Sequence, residues 1–175
     1  PSNPTGLHYS EQDLKEFVEV FRKNPQIIIF SDDIYNRLLL DGSRVAPHLL
    51  QIAPELKDRV VCFNGGSKAY SMTGWRIGWA TGPRDIIQAM GDYQSQATGA
   101  PSSISQHALI AALKKGENDI KETIQLLLRR KKAIMAELNQ IPNVTVYEPT
   151  GAFYIWMDVS AYLGKKFESV TIEQD

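Results

Sequence analysis

The sequence has little of several features that would mark a specialised class of protein. Only one of its 175 residues, Cys62, is a cysteine, so an internal disulfide is excluded. Its 19 Lys and Arg residues face 20 Asp and Glu residues, which leaves a formal net charge of -1. No apolar run approaches the roughly 20 residues that a membrane-spanning helix needs. The composition therefore predicts a cytoplasmic protein with no nucleic-acid partner and no membrane partner.

Hydrophobic residues make up 43% of the chain and charged residues 22%, which is ordinary for a globular protein. The chain is also long enough to bury a core without disulfides or metals. It opens on Pro1 with no Met and no targeting segment, and it stops at Asp175 with no closing cap. We expect it to be one part of a longer protein.

Apolar residues recur at alternating helical and strand spacings. After Ser10 they predict a helix over residues 11–23. The unbroken run at 27–30 is typical of a parallel strand with both faces buried under helices. Together the segments predict an α/β fold with a mostly parallel sheet. Further strands are predicted at 60–63, 77–80, 144–147 and 152–157, and further helices after Pro83, at 103–114 and at 117–139.

Chemistry in such a fold is expected just beyond the carboxyl ends of the strands. The first run ends in Asp32, with Tyr35 three residues later, and the second ends near Lys68. Each has an ordinary explanation, because a strand-end Asp often forms a turn or caps a helix. A phosphate-binding P-loop is not favoured, since Ala69 stands where that motif needs Ser or Thr.

The combination is more informative than its members. Lys68, Arg76, Asp32 and Tyr35 supply an amine, a fixed cation, a carboxylate and a phenol. An amine attacks a carbonyl in its neutral form, which burial and a cationic neighbour favour. Arg76 has the planar fork that binds a phosphate through two hydrogen bonds. This set suits an aldehyde cofactor with a phosphate tail and a basic ring nitrogen.

The sequence predicts no metal site. His8, His48 and His107 have no ligand-type spacing to one another or to Cys62. The basic run at 129–132 is expected to be a solvated helix face, since the total charge is nearly neutral.

Three segments at these positions resemble the motifs of class I aminotransferases, which are fold-type I pyridoxal phosphate enzymes. They are Ser-Asn-Pro-Thr-Gly at 2–6, Ser-Asp-Asp-Ile-Tyr at 31–35 and the lysine segment at 67–78. Within that family the chain is most similar to the prokaryotic-type aspartate and prephenate aminotransferases. The resemblance covers nearly the whole chain, which would be less than half of a family member; it is strengthened by residues 94–96, 102–106 and 151–154.

The resemblance implies roles for six residues. Lys68 would form the internal aldimine with pyridoxal 5'-phosphate and later move a proton between the substrate Cα and the cofactor. Asp32 would pair with the protonated ring nitrogen. Tyr35 and Asn3 would hydrogen-bond the phenolic oxygen of the ring.

The phosphate of the cofactor would be bound by Arg76 and Ser67. Many relatives carry Ser three residues before the lysine, where this chain has Gly65. One phosphate hydrogen bond is therefore expected to be missing or to come from the backbone.

As a whole, the resemblance implies ping-pong transamination between an amino acid and 2-oxoglutarate in a homodimer with shared active sites. The amino acid would be aspartate or another dicarboxylic or aromatic one. Residues 1–118 would belong to the large cofactor-binding domain, and 119–175 to a linking helix and the start of a small α+β domain. The 175 residues alone are expected to be inactive. Two alternatives stay open, a lyase on the same fold and the ligand-sensing domain of a transcription regulator.

Overall fold

The computed structural model describes residues 1–168 and 170–172. The final residues, 173–175, which contributed to the expectation of a longer chain, lie outside this part. The elements are α1 (Glu11–Lys23), β1 (Ile29–Asp32), α2 (Leu49–Ile52), β2 (Val60–Gly65), β3 (Gly78–Thr81), α3 (Arg84–Ala97), α4 (Ser103–Lys115), α5 (Glu117–Leu138), β4 (Thr145–Tyr147), β5 (Trp156–Asp158), β6 (Lys166–Phe167) and β7 (Val170–Thr171). Short 3-10 turns occupy Pro54–Arg59, Thr73–Trp75 and Ser160–Tyr162.

Helix α1 has the bounds that the sequence predicts. Its first N–H groups lack hydrogen-bond partners within the helix, and a capping box provides such partners. The Oγ of Ser10 accepts from the Asp13 N–H at 3.2 Å, and the Asp13 carboxylate accepts from the Ser10 N–H at 2.7 Å. Val18 is the buried residue on the face of α1 that packs on the sheet.

The central sheet has the order β1-β2-β3 and is mixed. Strands β1 and β2 are parallel, with Asp32 opposite Phe63, whereas β2 and β3 are antiparallel, with Gly65 opposite Gly78. The predicted α/β fold is confirmed, and the three strands of this chain form a partial sheet with one parallel and one antiparallel pair. A parallel return needs a crossover, usually a helix, and the segment between β2 and β3 holds only a loop with a 3-10 turn.

Strand β1 begins at Ile29, two residues later than the predicted strand at 27–30. The carbonyl groups before it are already occupied. Arg59 donates through Nη1 to the carbonyl oxygens of Asn24 at 2.8 Å and Ile27 at 3.3 Å. The Ile27 N–H turns back to Asn24 at 3.2 Å, so these residues form a turn that precedes the ladder.

One face of the sheet carries the main hydrophobic cluster, in which α1, α2 and the 3-10 turn before β2 cover the strands. On the opposite face Phe30 is 67% exposed, although Val61, its neighbour on β2, is fully buried. The expectation that both faces of β1 are buried is thus wrong, because the described residues place no helix over the Phe30 side chain. The buried members of the cluster are Val18, Ile29, Leu49, Ala53, Leu56 and Val60.

Helices α4 and α5 confirm the helices predicted at 103–114 and 117–139 to within one residue at each end. Gly116 separates them. A Cβ at this position would lie 2.7 Å from the Ala112 carbonyl oxygen and 2.9 Å from Cδ1 of Tyr70, so only glycine fits the junction.

Helix α3 confirms the helix predicted after Pro83, but none of its residues is buried, and Tyr93 is 76% exposed. The predicted domain boundary after residue 118 falls within the first turn of α5 and stays a prediction. No helix among residues 1–168 and 170–172 is long and apolar enough to cross a membrane.

The strand predicted at 144–147 is β4, whereas the one predicted at 152–157 is shortened to β5. Ala152 has a φ of 56°, which no strand residue adopts. Its N–H donates to the Leu38 carbonyl oxygen at 2.7 Å. The segment around Ala152 is therefore bound to the chain that follows β1 and cannot pair with β4.

Candidate functional site

Three chain segments meet at one edge of the central sheet. Strand β1 ends there at Asp32 and β2 at Gly65, while β3 starts there at Gly78 because it runs in the opposite direction. This edge is the carboxyl end of the parallel pair, where ligands bind in open α/β sheets. Because β3 runs antiparallel to β2, Arg76, which precedes β3, lies at this same edge.

Ser67 and Arg76 lie in the connection between β2 and β3, at this edge of the sheet. The Gly66 N–H donates to the Ile77 carbonyl oxygen at 3.3 Å, which extends the ladder one step beyond Gly65 and Gly78. Arg76 has a left-handed φ of 48° and donates from Nη1 to the Thr73 carbonyl oxygen at 2.8 Å. Its side chain is exposed.

Lys68 lies in a tight turn after β2. Both the Tyr70 and the Met72 N–H groups donate to the Gly66 carbonyl oxygen at 3.3 Å, which curls the chain around the lysine. A Cβ on Gly66, at the start of the turn, would lie 3.1 Å from Cδ1 of Leu109, so any other residue there requires the Leu109 side chain to shift.

The Lys68 ammonium lies over two aromatic rings. Its Nζ is 5.6 Å from the ring centroid of Tyr35 and 5.7 Å from that of Phe153. Among the described residues Nζ makes no hydrogen bond and no ion pair, so the amine is held by packing and by the ring faces.

Tyr35 is buried, and its hydroxyl lies 2.7 Å from the hydroxyl of Tyr154, which is 119 positions away in sequence. The two rings pack edge to face with centroids 5.8 Å apart. The hydrogen bond to Tyr35 raises the pKa of Tyr154 above its ordinary value, and burial adds to this effect. The motif at 151–154 strengthens the family resemblance, but the sequence predicts no role for Tyr154. No spacing in the sequence indicates this contact.

Asp32 is exposed at the end of β1, where its Oδ1 accepts the Ile34 N–H at 3.2 Å. The predicted turn-forming role of this aspartate is thus real, and it leaves Oδ2 without a hydrogen-bond partner among the described residues.

Asn3 is exposed in the loop before α1 and makes no side-chain hydrogen bond within the described residues. The loop is tied to the far end of the chain, since the Gly6 carbonyl oxygen accepts the N–H groups of Thr150 and Gly151 at 3.0 and 2.9 Å. Of the six predicted residues, the structure thus brings Lys68 and Tyr35 into direct contact. It places Asp32, Ser67 and Arg76 at the same sheet edge and Asn3 in this loop.

A groove of about 1220 Å³ runs between α5 and the segment around Phe153 and reaches Lys68. Its charged lining is mainly basic and includes Arg130 and Lys131. Lys131 is held by the Glu148 carboxylate and the Pro149 carbonyl oxygen, each at 2.8 Å. Arg130 is exposed and makes no ion pair in the described part of the chain.

Asp33, His48 and Cys62 also converge, with three ligand-type atoms within 4.8 Å of one another. Nε2 of His48 lies 3.3 Å from Asp33 and 3.4 Å from Cys62. Its Nδ1 accepts the Leu50 N–H at 3.1 Å to cap α2, so the neutral ring carries its proton on Nε2. A protonated nitrogen has no lone pair for a metal, and hydrogen bonding accounts for the cluster. Sequence spacing does not reveal it, because its members come from three different elements.

The fold and this sheet edge agree with the comparisons with known proteins. A family model described as "Aminotransferase class I and II" matches residues 1–175, and the chain belongs to this family.

The chain is similar to several named aminotransferases. It is 45% identical to an aspartate aminotransferase of Rhizobium meliloti (strain 1021) over 94% of this chain and 40% of that protein. It is 43% identical to an aspartate/prephenate aminotransferase of Cereibacter sphaeroides over 94% of this chain and 41% of that protein.

Solved structures of aspartate aminotransferases match the fold of this chain. A crystal structure of the aspartate aminotransferase from Rhizobium meliloti matches with a TM-score of 0.93 and 42% identity, covering 100% of this chain and 44% of that one. An aspartate aminotransferase from Thermus thermophilus with maleate matches with a TM-score of 0.83 and 32% identity, covering 93% and 41%. The chain thus spans about two fifths of the length of these relatives.

Proposed function

We propose that the protein carrying this chain is a pyridoxal phosphate-dependent aminotransferase that uses Lys68 as its cofactor-binding and proton-moving amine. The observation that carries the proposal is the Lys68 Nζ, which lies over the Tyr35 ring without a hydrogen-bond or ion-pair partner among the described residues. It sits at the sheet edge that also holds Asp32, Ser67 and Arg76.

The residues of this edge fit the cofactor chemically. A ring nitrogen needs an anion, a phenolic oxygen needs a donor, and a phosphate needs a cation with hydroxyl or N–H donors. Asp32 offers Oδ2 without a partner in the described chain, Tyr35 offers a hydroxyl, Arg76 offers an exposed guanidinium, and Ser67 offers a hydroxyl. When bound, pyridoxal phosphate supplies an electron-accepting ring for the carbanion that forms at the substrate Cα.

Lys68 performs two tasks in this proposal. Its Nζ would hold the cofactor covalently until the substrate amine displaces it, and the freed Nζ would then accept the proton of the substrate Cα and return it to the cofactor carbon that had carried the lysine. The turn that begins at Gly66 fixes the direction from which the amine approaches, because the Tyr70 and Met72 N–H groups both donate to the Gly66 carbonyl oxygen and close it.

Asp32 and Tyr35 hold two ends of the ring. The Asp32 carboxylate keeps a proton on the ring nitrogen, and its position at the last residue of β1 makes it rigid. Tyr35 and Asn3 donate to the phenolic oxygen. The burial of Tyr35 fixes its ring against Phe153, with centroids 5.6 Å apart, so that the hydroxyl has one direction.

Arg76 and Ser67 bind the phosphate from the connection between β2 and β3. The left-handed backbone at Arg76 turns the side chain out of the strand direction, which supports this assignment. Gly65 replaces the serine of many relatives. A Cβ there would lie 3.0 Å from the Ile77 carbonyl oxygen, so a serine needs a small backbone shift.

The proposed substrates are a dicarboxylic or aromatic amino acid, with aspartate first, and 2-oxoglutarate. The names of the relatives support aspartate, and the Thermus thermophilus structure is described with maleate, which is a dicarboxylate. The basic lining of the groove at Lys68 also favours an anionic substrate. We further propose a cytoplasmic homodimer with shared active sites, in which these 175 residues alone do not catalyse the reaction.

The test uses the whole protein with added pyridoxal phosphate and follows aspartate consumption with and without 2-oxoglutarate. The proposal expects multiple turnovers only with the oxo acid, and a loss of at least about 1000-fold in Lys68→Ala, as for the removal of a covalent catalyst. Lys132→Ala, an exposed lysine on α5, serves as the matched control and keeps full activity. Unchanged turnover in Lys68→Ala would contradict the proposal.

The same assay separates the two alternatives. A lyase releases ammonia without needing an oxo acid, and a sensor domain binds the cofactor or amino acid without turnover. Either result would replace the transamination proposal.

A further inference from the structure

We propose that Tyr154 is a positioning residue for Tyr35, which it orients and polarises through the hydrogen bond between the two hydroxyls. The inference rests on the proposed function, in which the Tyr35 hydroxyl donates to the phenolic oxygen of the cofactor. Tyr154 does not touch the reacting atoms in this account and acts through its neighbour.

The contact is short and partly buried. The two oxygens are 2.7 Å apart, which is the ordinary length of a good O–H···O bond. The rings pack edge to face at 5.8 Å, and Phe153 packs on Tyr154 at 4.8 Å. The Lys68 Nζ lies 5.6 Å from the centroid of the Tyr35 ring, so the pair stands beside the proposed reaction centre.

The backbone on both sides holds this pair together. The Leu40 N–H donates to the Thr150 carbonyl oxygen at 2.8 Å, and the Ala152 N–H donates to the Leu38 carbonyl oxygen at 2.7 Å. These bonds join the chain that follows Tyr35 to the chain that leads into Tyr154. The hydrogen bond between the hydroxyls is therefore preorganised and costs little side-chain ordering on binding.

The direction of the bond follows from the role of Tyr35. A phenol has one proton, and the proposed function needs the Tyr35 proton for the cofactor. Tyr154 must then be the donor to Tyr35. A hydroxyl that accepts a hydrogen bond becomes a stronger donor, because hydrogen bonds in a chain polarise one another.

The experiment titrates the visible absorbance of the pyridoxal phosphate-loaded whole protein against pH and measures steady-state kinetics. Tyr35→Phe removes the donor and moves the pH midpoint of the absorbance upward. Tyr154→Phe is expected to move it in the same direction by a smaller amount, and to lower kcat roughly 2- to 10-fold, as expected for one hydrogen bond. In the double variant the midpoint equals that of Tyr35→Phe alone, because Tyr154 acts only through Tyr35.

Three comparisons make the test decisive. Tyr147→Phe, which removes a hydroxyl from an exposed tyrosine on β4, leaves midpoint and kcat unchanged. A Tyr154→Phe protein with the wild-type midpoint overturns the inference, as does a shift that persists in the Tyr35→Phe background. Tyr154→Leu removes the ring as well; if only this variant shifts the midpoint, packing is responsible and the inference fails.

Failure of the proposed function looks different. If the unmodified protein develops no visible absorbance with pyridoxal phosphate, the cofactor assignment itself is wrong. If that absorbance is normal and titrates identically in the Tyr154→Phe protein, the role of Tyr154 alone is wrong.

Discussion

The Gly66 N–H donates to the Ile77 carbonyl oxygen at 3.3 Å, and this bond joins the start of the lysine turn to the residue after Arg76. The loop between Gly66 and Ile77 carries Ser67, Lys68 and Arg76, so a single antiparallel connection presents the amine and the proposed phosphate ligands at one edge of the sheet.

Arg76→Ala is expected to weaken pyridoxal phosphate binding roughly 10- to 150-fold, because a charge-assisted hydrogen bond contributes about 1.5–3 kcal/mol. Arg76→Lys keeps the charge but loses the planar fork, so its affinity for the cofactor is expected to lie between those of the wild-type and Arg76→Ala proteins. The measurement is a fluorescence titration of the whole protein with the cofactor. Arg84→Ala, an exposed arginine at the start of α3, is the control and keeps the wild-type affinity. Equal affinity of the Arg76→Ala and Arg84→Ala proteins would refute the phosphate assignment.

Gly6→Ala is expected to destabilise the protein by about 2–5 kcal/mol, since overpacking of about 1–3 kcal/mol adds to the cost of a left-handed residue, about 1–2 kcal/mol. Gly6 has a φ of 70°, and a Cβ there would lie 2.5 Å from the Tyr154 carbonyl oxygen. Gly42 has a φ of 92° with nothing within 4 Å of the added Cβ. Gly42→Ala therefore isolates the backbone cost, about 1–2 kcal/mol, in the same urea unfolding experiment. Equal losses for both variants would show that the contact with the Tyr154 segment does not contribute.

Glu117→Gln is expected to flatten the acid limb of the stability curve. The Glu117 carboxylate is 2.6 Å from Arg37 and 3.2 Å from Arg44, and hydrogen bonds to them lower the pKa of Glu117 below its ordinary value of 4.5. A lowered folded-state pKa contributes stability above pH 4.5 that is lost as the pH falls through the lower value.

Urea unfolding of the whole protein between pH 6 and pH 3 measures this effect, with about half-unit steps around the ordinary glutamate value. Glu122→Gln, an exposed glutamate on α5 with no ion pair among the described residues, is the matched control and keeps the wild-type pH dependence. The account is contradicted if Glu117→Gln and Glu122→Gln lose stability equally as the pH falls.

Local patterns predict the helices well and the strand ends less well. The helix over Glu11–Lys23 follows from apolar spacing and the Ser10 cap, both of which are local. Strand β1 is displaced because Arg59, which is distant in sequence, binds the carbonyl group of Ile27. The shortening of β5 has the same kind of cause, since the Leu38 carbonyl group binds Ala152. Long-range hydrogen bonds of this kind leave no periodic signal.

The site shows the same division. Strand ends locate Asp32 and Lys68, because ligands in α/β sheets bind beyond the carboxyl ends. The place of Arg76 depends on the antiparallel direction of β3, which apolar runs do not encode. The contact between Tyr35 and Tyr154 depends on tertiary packing across 119 positions, so no sequence pattern in either segment indicates it.

The most direct test of the central claim is to reduce the pyridoxal phosphate-loaded whole protein with borohydride, digest it and locate the pyridoxyl mass by mass spectrometry. Reduction fixes the cofactor on whichever amine holds it, and no substitution is needed. The account predicts one modified peptide, with the mass on Lys68. A modification on any other lysine, or none, would contradict it.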